Sequence, residues 1–223
     1  MDFPGKRYLL FDLDGTIVDS QEGIFNGVRY AAERLGLERP PAATLRKFVG
    51  PALYHSFQEY MDLSPEDASR AVEFYREFYF PVGYRQCIVY PGMEELLAAL
   101  RKEGRSAALA TKKPEAVSRQ ILTELGLEHY FAAICGSDLR ENHNDKRHIL
   151  ERAMEQLGVL DKGQALMIGD SFYDCEGARL AGIDSVWVLY GFGDEASMRA
   201  HGAAAIAASV QELRTLLLGS GSP

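Results

Sequence analysis

The chain has 223 residues, 47% of them hydrophobic and 25% charged, the balance of a soluble globular protein with one large domain or a core carrying a smaller insertion. Its formal net charge of −8 argues against a nucleic-acid-binding surface, which is normally basic. Anionic ligands stay possible wherever lysines or a metal ion dominate locally.

Met1–Lys6 lacks the apolar core of a signal peptide, and no run approaches membrane-spanning length, so a reducing cytoplasm is the expected compartment. The apolar run Tyr8–Phe11 reads as a buried strand that ends in Asp12-Leu13-Asp14-Gly15-Thr16. Two carboxylates one residue apart repel each other unless a cation or a proton is shared, and Mg²⁺ would resolve that conflict. A plain turn served by Asp and Gly fits the same stretch. From Gln21 to Val89 the pattern is helical without strand-like runs. Ile24, Val28, Ala31, Ala32 and Leu35 mark one helix face that Gly36 ends, and a second helix spans Leu53–Met61. Ser64-Pro65-Glu66-Asp67 starts a third, whose aromatic series Phe74, Tyr75, Phe78, Tyr79 reads as a core face.

After Tyr90-Pro91-Gly92, helix and short strand alternate. A helix over Glu94–Arg101 precedes a strand Ala107–Ala110 that ends in Thr111-Lys112-Lys113-Pro114. Pro114 opens the next helix and Gly126 closes it; Ala132–Cys135 is a candidate strand, and Lys146–Leu157 is a helix ended by Gly158. Leu166–Ile168 ends in Gly169-Asp170, with Asp174 four residues on, and Ser185–Leu189 is a strong buried strand. The tail 220–223 is expected to be disordered. Repeated strand and helix imply a parallel sheet with helices on both faces, whose ligands collect outside the strand ends.

Two acidic strand ends, one Thr strand end and Lys146 at a helix start make a coherent site for a metal-bound phosphate. Each residue also has a plainer reading, Thr111 as a helix cap and Lys146 as a solvated charge. The three cysteines, Cys87, Cys135 and Cys175, form no Cys-x-x-Cys pair. The five histidines share no metal-ligand spacing, and Ser171 lacks the Gly-x-Ser-x-Gly turn of serine hydrolases.

Taken in order, Asp12/Asp14, Thr111, Lys146 and Asp170/Asp174 resemble the four motifs of haloacid dehalogenase-like superfamily phosphatases, over nearly the whole chain. The resemblance implies an α/β, Rossmann-like core at 1–19 and 90–219, with an inserted α-helical cap at 20–89. It implies Asp12 as the nucleophile that forms an aspartyl-phosphate and Asp14 as the general acid/base. Thr111 would bind a phosphate oxygen, and Lys146 would balance charge between Asp12 and the phosphoryl group. Mg²⁺ would be held by Asp12, Asp170 and the main-chain oxygen of Asp14, with Asp174 one step removed or acting through water. Gly15 would let the backbone pass close to the phosphate. Phe48-Val49-Gly50-Pro51 resembles the cap stretch of phosphoglycolate phosphatases, which makes Gly50 a substrate contact; a helix-ending turn fits it equally.

Two departures bear on specificity. Lys112 stands where relatives often have Ser or Asn, and an added cation there would favour substrates with a second anionic group. Glu141–Lys146 lacks the Lys-Pro-x-Pro of phosphoglycolate phosphatases and is closer to 5′-nucleotidases or tyrosine-phosphate phosphatases. The expected partner is a small phosphorylated metabolite, with neither nucleic acid nor membrane, for a monomer or homodimer. The alternatives are a β-phosphoglucomutase-like mutase, against which Thr16 stands, and a non-catalytic phosphate-compound sensor. A dehalogenase would lack Asp14.

Overall fold

The computed structural model describes residues 3–138, 145–193 and 202–219. The expected disordered tail at 220–223 lies outside the described residues, as do two of the five histidines, His143 and His201, and residues 141–144 of the segment that lacks Lys-Pro-x-Pro. The chain divides into two compact units, Met1–Val18 with Val89–Pro223, and Asp19–Ile88. Strand β1 (Tyr8–Phe11) belongs to the first unit. Two short strands, β2 (Val18–Asp19) and β3 (Ile88–Val89), pair where the chain crosses between units, so the expectation of no strand before Val89 fails at that end.

The second unit is helical: α1 (Gln21–Arg34), α2 (Ala42–Arg46), α3 (Leu53–Met61) and α4 (Pro65–Tyr79). Ser64 caps α4 by accepting from the Asp67 N–H at 3.1 Å, with Pro65 in the first turn, as that run of residues dictates. α1 lies on α4, and Phe48, Phe57 and Tyr60 form an edge-to-face cluster beside them. The aromatic series of α4 is only half a core face. Tyr75 and Tyr79 are buried, whereas Phe74 lies under the Arg34 guanidinium and Phe78 stacks on Tyr30, both half-buried. A cation can cover an aromatic face, so the apolar spacing alone overstates burial.

In the first unit α5 (Met93–Lys102), β4 (Ser106–Pro114), α6 (Glu115–Glu124), β5 (Phe131–Ser137), α7 (Lys146–Leu157), β6 (Ala165–Gly169), α8 (Phe172–Ala181), β7 (Asp184–Val188), β8 (Ala205–Ala207) and α9 (Val210–Leu218) follow in turn. The sheet runs β5-β4-β1-β6-β7-β8 with every pairing parallel. In chain order of its strands this is third, second, first, fourth, fifth, sixth, the doubly wound Rossmann-like arrangement. Strand alternation sends Leu10 to the face covered by α7 and α8, where it packs with Ala108, Met167, Ile149, Leu150 and Ala178. Leu9 and Phe11 go to the opposite face and are equally buried. Hence β1 is apolar throughout. The order reverses between β1 and β6, held in register by Phe11 opposite Ile168. A ligand crevice opens at such a reversal, outside the carboxyl ends of the strands.

Candidate active site

β1 delivers Asp12 directly to that reversal, its N–H donating to the Ile168 carbonyl at 2.9 Å as one further rung of the ladder. The chain then turns sharply: the N–H groups of Thr16, Ile17 and Val18 all donate to the Leu13 carbonyl. Gly15 sits in this turn at φ +81°, and a Cβ there would fall 2.1 Å from Asp170 Oδ2. Both the backbone angle and the close approach require glycine. The neighbouring carboxylates Asp12 and Asp14 are thereby sent to different partners.

Asp12 Oδ1 accepts from Lys146 Nζ at 2.6 Å. Lys146 is the first residue of α7, capped by Asp145, whose carboxylate accepts from the His148 N–H at 2.9 Å. Ile149, Leu150 and Ala153 set the core face of that helix, and Lys146 lies on the same side, only 4% exposed. Its ammonium also meets Asp174 Oδ1 at 2.6 Å. Arg147 turns out to solvent and pairs with Glu151, as the helical rotation predicts. Asp174 is fixed from its other oxygen, which accepts from the Ser171 N–H and hydroxyl at 3.0 and 2.6 Å in a capping box at the start of α8. Asp170 follows β6 and accepts from the Phe192 N–H at 2.6 Å.

The carboxylates of Asp12, Asp170 and Asp174 form one group, with an oxygen of each within 4.8 Å of the others. Asp174, expected one step away, therefore stands beside the other two. Burial, with Asp174 and Asp14 nearby, pushes Asp12 up to about 6 against the pull of Lys146. Burial and the charges of Asp174 and Asp12 push Asp170 well above the ordinary carboxylate range. Burial works against the Lys146 charge, but Asp12 and Asp174 outweigh it and hold its ammonium above the usual value. Asp14 lies outside the group, with both its oxygens 2.9 Å from Lys113 Nζ. With all four ionised, the carboxylates would face two directly paired ammonium groups, an excess of two negative charges that a divalent cation would balance. The all-oxygen donor set suits Mg²⁺.

Thr111 is buried, and its Oγ1 accepts from the Lys113 N–H at 3.2 Å; it caps no helix, because β4 continues to Pro114 with an irregular register after Ala110. Lys112 does not join the acids directly. Its ammonium lies 3.6 Å over the Tyr173 ring, and burial, then Lys146, lower its pKa. Gly50 belongs to the other unit, at φ +101° with open space around it. Two groups escaped the sequence reading, the Lys113 ammonium on Asp14 and the Phe192 N–H on Asp170. Lys113 was visible only as one of two adjacent lysines, and a backbone donor leaves no mark in side-chain pattern.

The family model of the haloacid dehalogenase-like hydrolases matches residues 9–188, from the start of β1 to the end of β7. The chain is a haloacid dehalogenase-like hydrolase. It is similar to a 5′-nucleotidase of Pseudomonas aeruginosa, 36% identical with 94% of each chain covered. It is also similar to the tyrosine-protein kinase PtkA of Mycobacterium tuberculosis, 34% identical over 96% of this chain and 74% of that one. The crystal structure of a predicted phosphatase from Clostridium acetobutylicum superposes with a TM-score of 0.87 at 40% identity, over 95% and 97% of the two chains. Among the described residues no helix of this hydrolase is long and apolar enough to cross a membrane.

Proposed function

We propose that this haloacid dehalogenase-like phosphatase hydrolyses small phosphate monoesters in two steps through an aspartyl-phosphate on Asp12. The observation that carries the reading is the buried acidic group at the sheet's reversal, three clustered carboxyl groups with Asp12 held against the Lys146 ammonium. Asp12, Asp170 and the Asp14 main-chain oxygen would hold Mg²⁺, with Asp174 beside them. Once bound, the ion supplies charge neutralisation to a phosphate dianion that four carboxylates would otherwise repel.

In the first step an Asp12 oxygen attacks phosphorus, the bond from phosphorus to the ester oxygen breaks, and Asp14 gives the leaving oxygen its proton. In the second, Asp14 takes a proton from water, whose oxygen attacks phosphorus and releases phosphate and the Asp12 carboxylate. Lys146 holds Asp12 in one rotamer and offsets charge as it builds on the phosphoryl group. Thr111 already accepts from the Lys113 N–H, which leaves its O–H to donate to a phosphate oxygen. Gly15 keeps the turn low enough for the phosphate to approach. Residues 20–89 serve as the cap, with Gly50 as its substrate contact, and 1–19 with 90–219 as the core. The partner is a small phosphorylated metabolite of the cytoplasm, and the enzyme works as a monomer or homodimer.

Phosphate release from nucleoside 5′-monophosphates, phosphoglycolate, phosphotyrosine and sugar phosphates tests this. We expect Mg²⁺-dependent release from at least one, abolished by a chelator. Isomerisation of a sugar phosphate with no release from any would replace the phosphatase by a mutase.

A further inference from the structure

We infer that Lys113 is a positioning residue for the leaving-group step, holding the Asp14 carboxylate apart from the metal-binding acids and aimed where the ester oxygen departs. The inference rests on the acid/base reading of Asp14 given above. Three observations carry it. The Lys113 ammonium is equidistant from both Asp14 oxygens, 2.9 Å each, a two-point contact that fixes the carboxylate's rotation as a single bond would not. The pair is shielded, with side chains 7% and 18% exposed, so its attraction is far less screened than that of a surface pair. The backbone of Lys113 is itself fixed, because its N–H donates to the buried Thr111 hydroxyl at 3.2 Å.

The reason such a residue is needed lies in the sequence. Asp14 follows Asp12 by two positions, and Asp12 already shares a crowded site with Asp170 and Asp174. Without a cation of its own, the Asp14 carboxylate would rotate away from the other three into water and lose its aim. Lys146 cannot supply that cation, because both its short contacts go to Asp12 and Asp174. Lys112 cannot either, because its ammonium rests on Tyr173.

Positioning predicts selectivity among substrates. An alkyl phosphate needs its leaving oxygen protonated, whereas p-nitrophenyl phosphate has a leaving group that departs without help. Lys113→Met should therefore lower the rate of enzyme phosphorylation in the first turnover by about 10²-fold for an alkyl monoester, the scale of one general-acid contribution, and far less for p-nitrophenyl phosphate, while the second step, common to both, slows equally for the two. Lys113→Arg, which can span both oxygens, should recover much of the alkyl activity. Asp14→Asn is measured beside them. A first-turnover loss selective for the alkyl ester in Asp14→Asn together with equal first-turnover losses on both substrates in Lys113→Met, or an unchanged first turnover in the latter, would overturn the inference alone. Equal first-turnover losses on the two substrates in Asp14→Asn would remove the acid/base reading and this inference with it.

Discussion

A charge on Asp170 is one that the metal-free fold accommodates poorly: the side chain is almost fully buried beside Asp12 and Asp174, with the Phe192 N–H donating to it. Its folded-state pKa, like that of Asp12, lies above the ordinary carboxylate value. A raised carboxyl contributes its stability below the unfolded-state value of 3.8, and that contribution is lost as pH rises through the folded value, about 6 for Asp12. In chelator, Asp170→Asn removes one of the repelling charges while Asn can still accept from Phe192. Its melting temperature should exceed that of the parent by a few degrees at pH 8, with the difference shrinking towards pH 4. Mg²⁺ should raise the melting temperature of the parent and not that of the variant. Calorimetry with and without Mg²⁺ checks both; a lower melting temperature for the variant at pH 8 would contradict the repulsion. Lys146 and Arg147 give a second contrast at this scale. Lys146→Met should lower kcat by about 10²- to 10³-fold, the usual loss of one preorganised donor, and Arg147→Met should change it little, since that side chain pairs with Glu151 on the outer face. Steady-state kinetics on folded variants decides, and comparable losses in the two would misplace the site's cation.

The element that aims Lys146 is the crossing of α7 on α8. Gly177, in α8, lies against the start of α7, and a Cβ there would fall 2.7 Å from Lys146 Cβ. Gly177→Ala should therefore push the first turn of α7 outward and pull the ammonium off Asp12. The expected result is a kcat loss of about tenfold or more, with helix content intact by circular dichroism, even though alanine is the better helix former. Unchanged kcat would mean that the two helices part without disturbing Lys146. Elements also differ in how legible they are. The register of α7 could be read from sequence because Ile149, Leu150 and Ala153 fix its buried face and Asp145 and Gly158 its ends. The inward lysine near the end of β4 could not. Whether Lys112 or Lys113 turns to the acids depends on the phase of a strand that runs past Ala110 with a broken register, which alternation alone does not fix. The short β8 and α9 also escaped, the strand because three residues carry no periodicity.

At the scale of the whole chain, the arrangement of acids follows from sheet order. Strand ends far apart in sequence, at Asp12 and Asp170, become neighbours because β1 and β6 flank the reversal, and α7 enters from the β5 side to place Lys146 between Asp12 and Asp174. Apolar runs ending in acids made the strands and their ends readable, since burial on both faces demands continuous hydrophobicity. The partners each acid chooses were less readable, because they depend on side-chain rotamers and backbone donors such as Phe192. The thiols report on both units at once. Burial pushes Cys175 up to about 11 and Cys135 above its usual value, so neither presents much thiolate at pH 8. Cys87, half-buried in the helical unit, should be alkylated by iodoacetamide first, as mass spectrometry of the modified peptides would show. Cys175 reacting as fast as Cys87 in the native protein would contradict that burial.

The central claim is that Asp12 becomes phosphorylated. It is tested most directly in the Asp14→Asn protein, mixed with p-nitrophenyl phosphate and Mg²⁺, quenched, reduced with borohydride and sequenced by mass spectrometry. The leaving group needs no acid, and the second step stalls without a base, so a burst of p-nitrophenol should coincide with conversion of Asp12 to homoserine, the reduction product of an acyl phosphate. A burst with Asp12 unmodified, or with the modification on another carboxylate, would contradict the account.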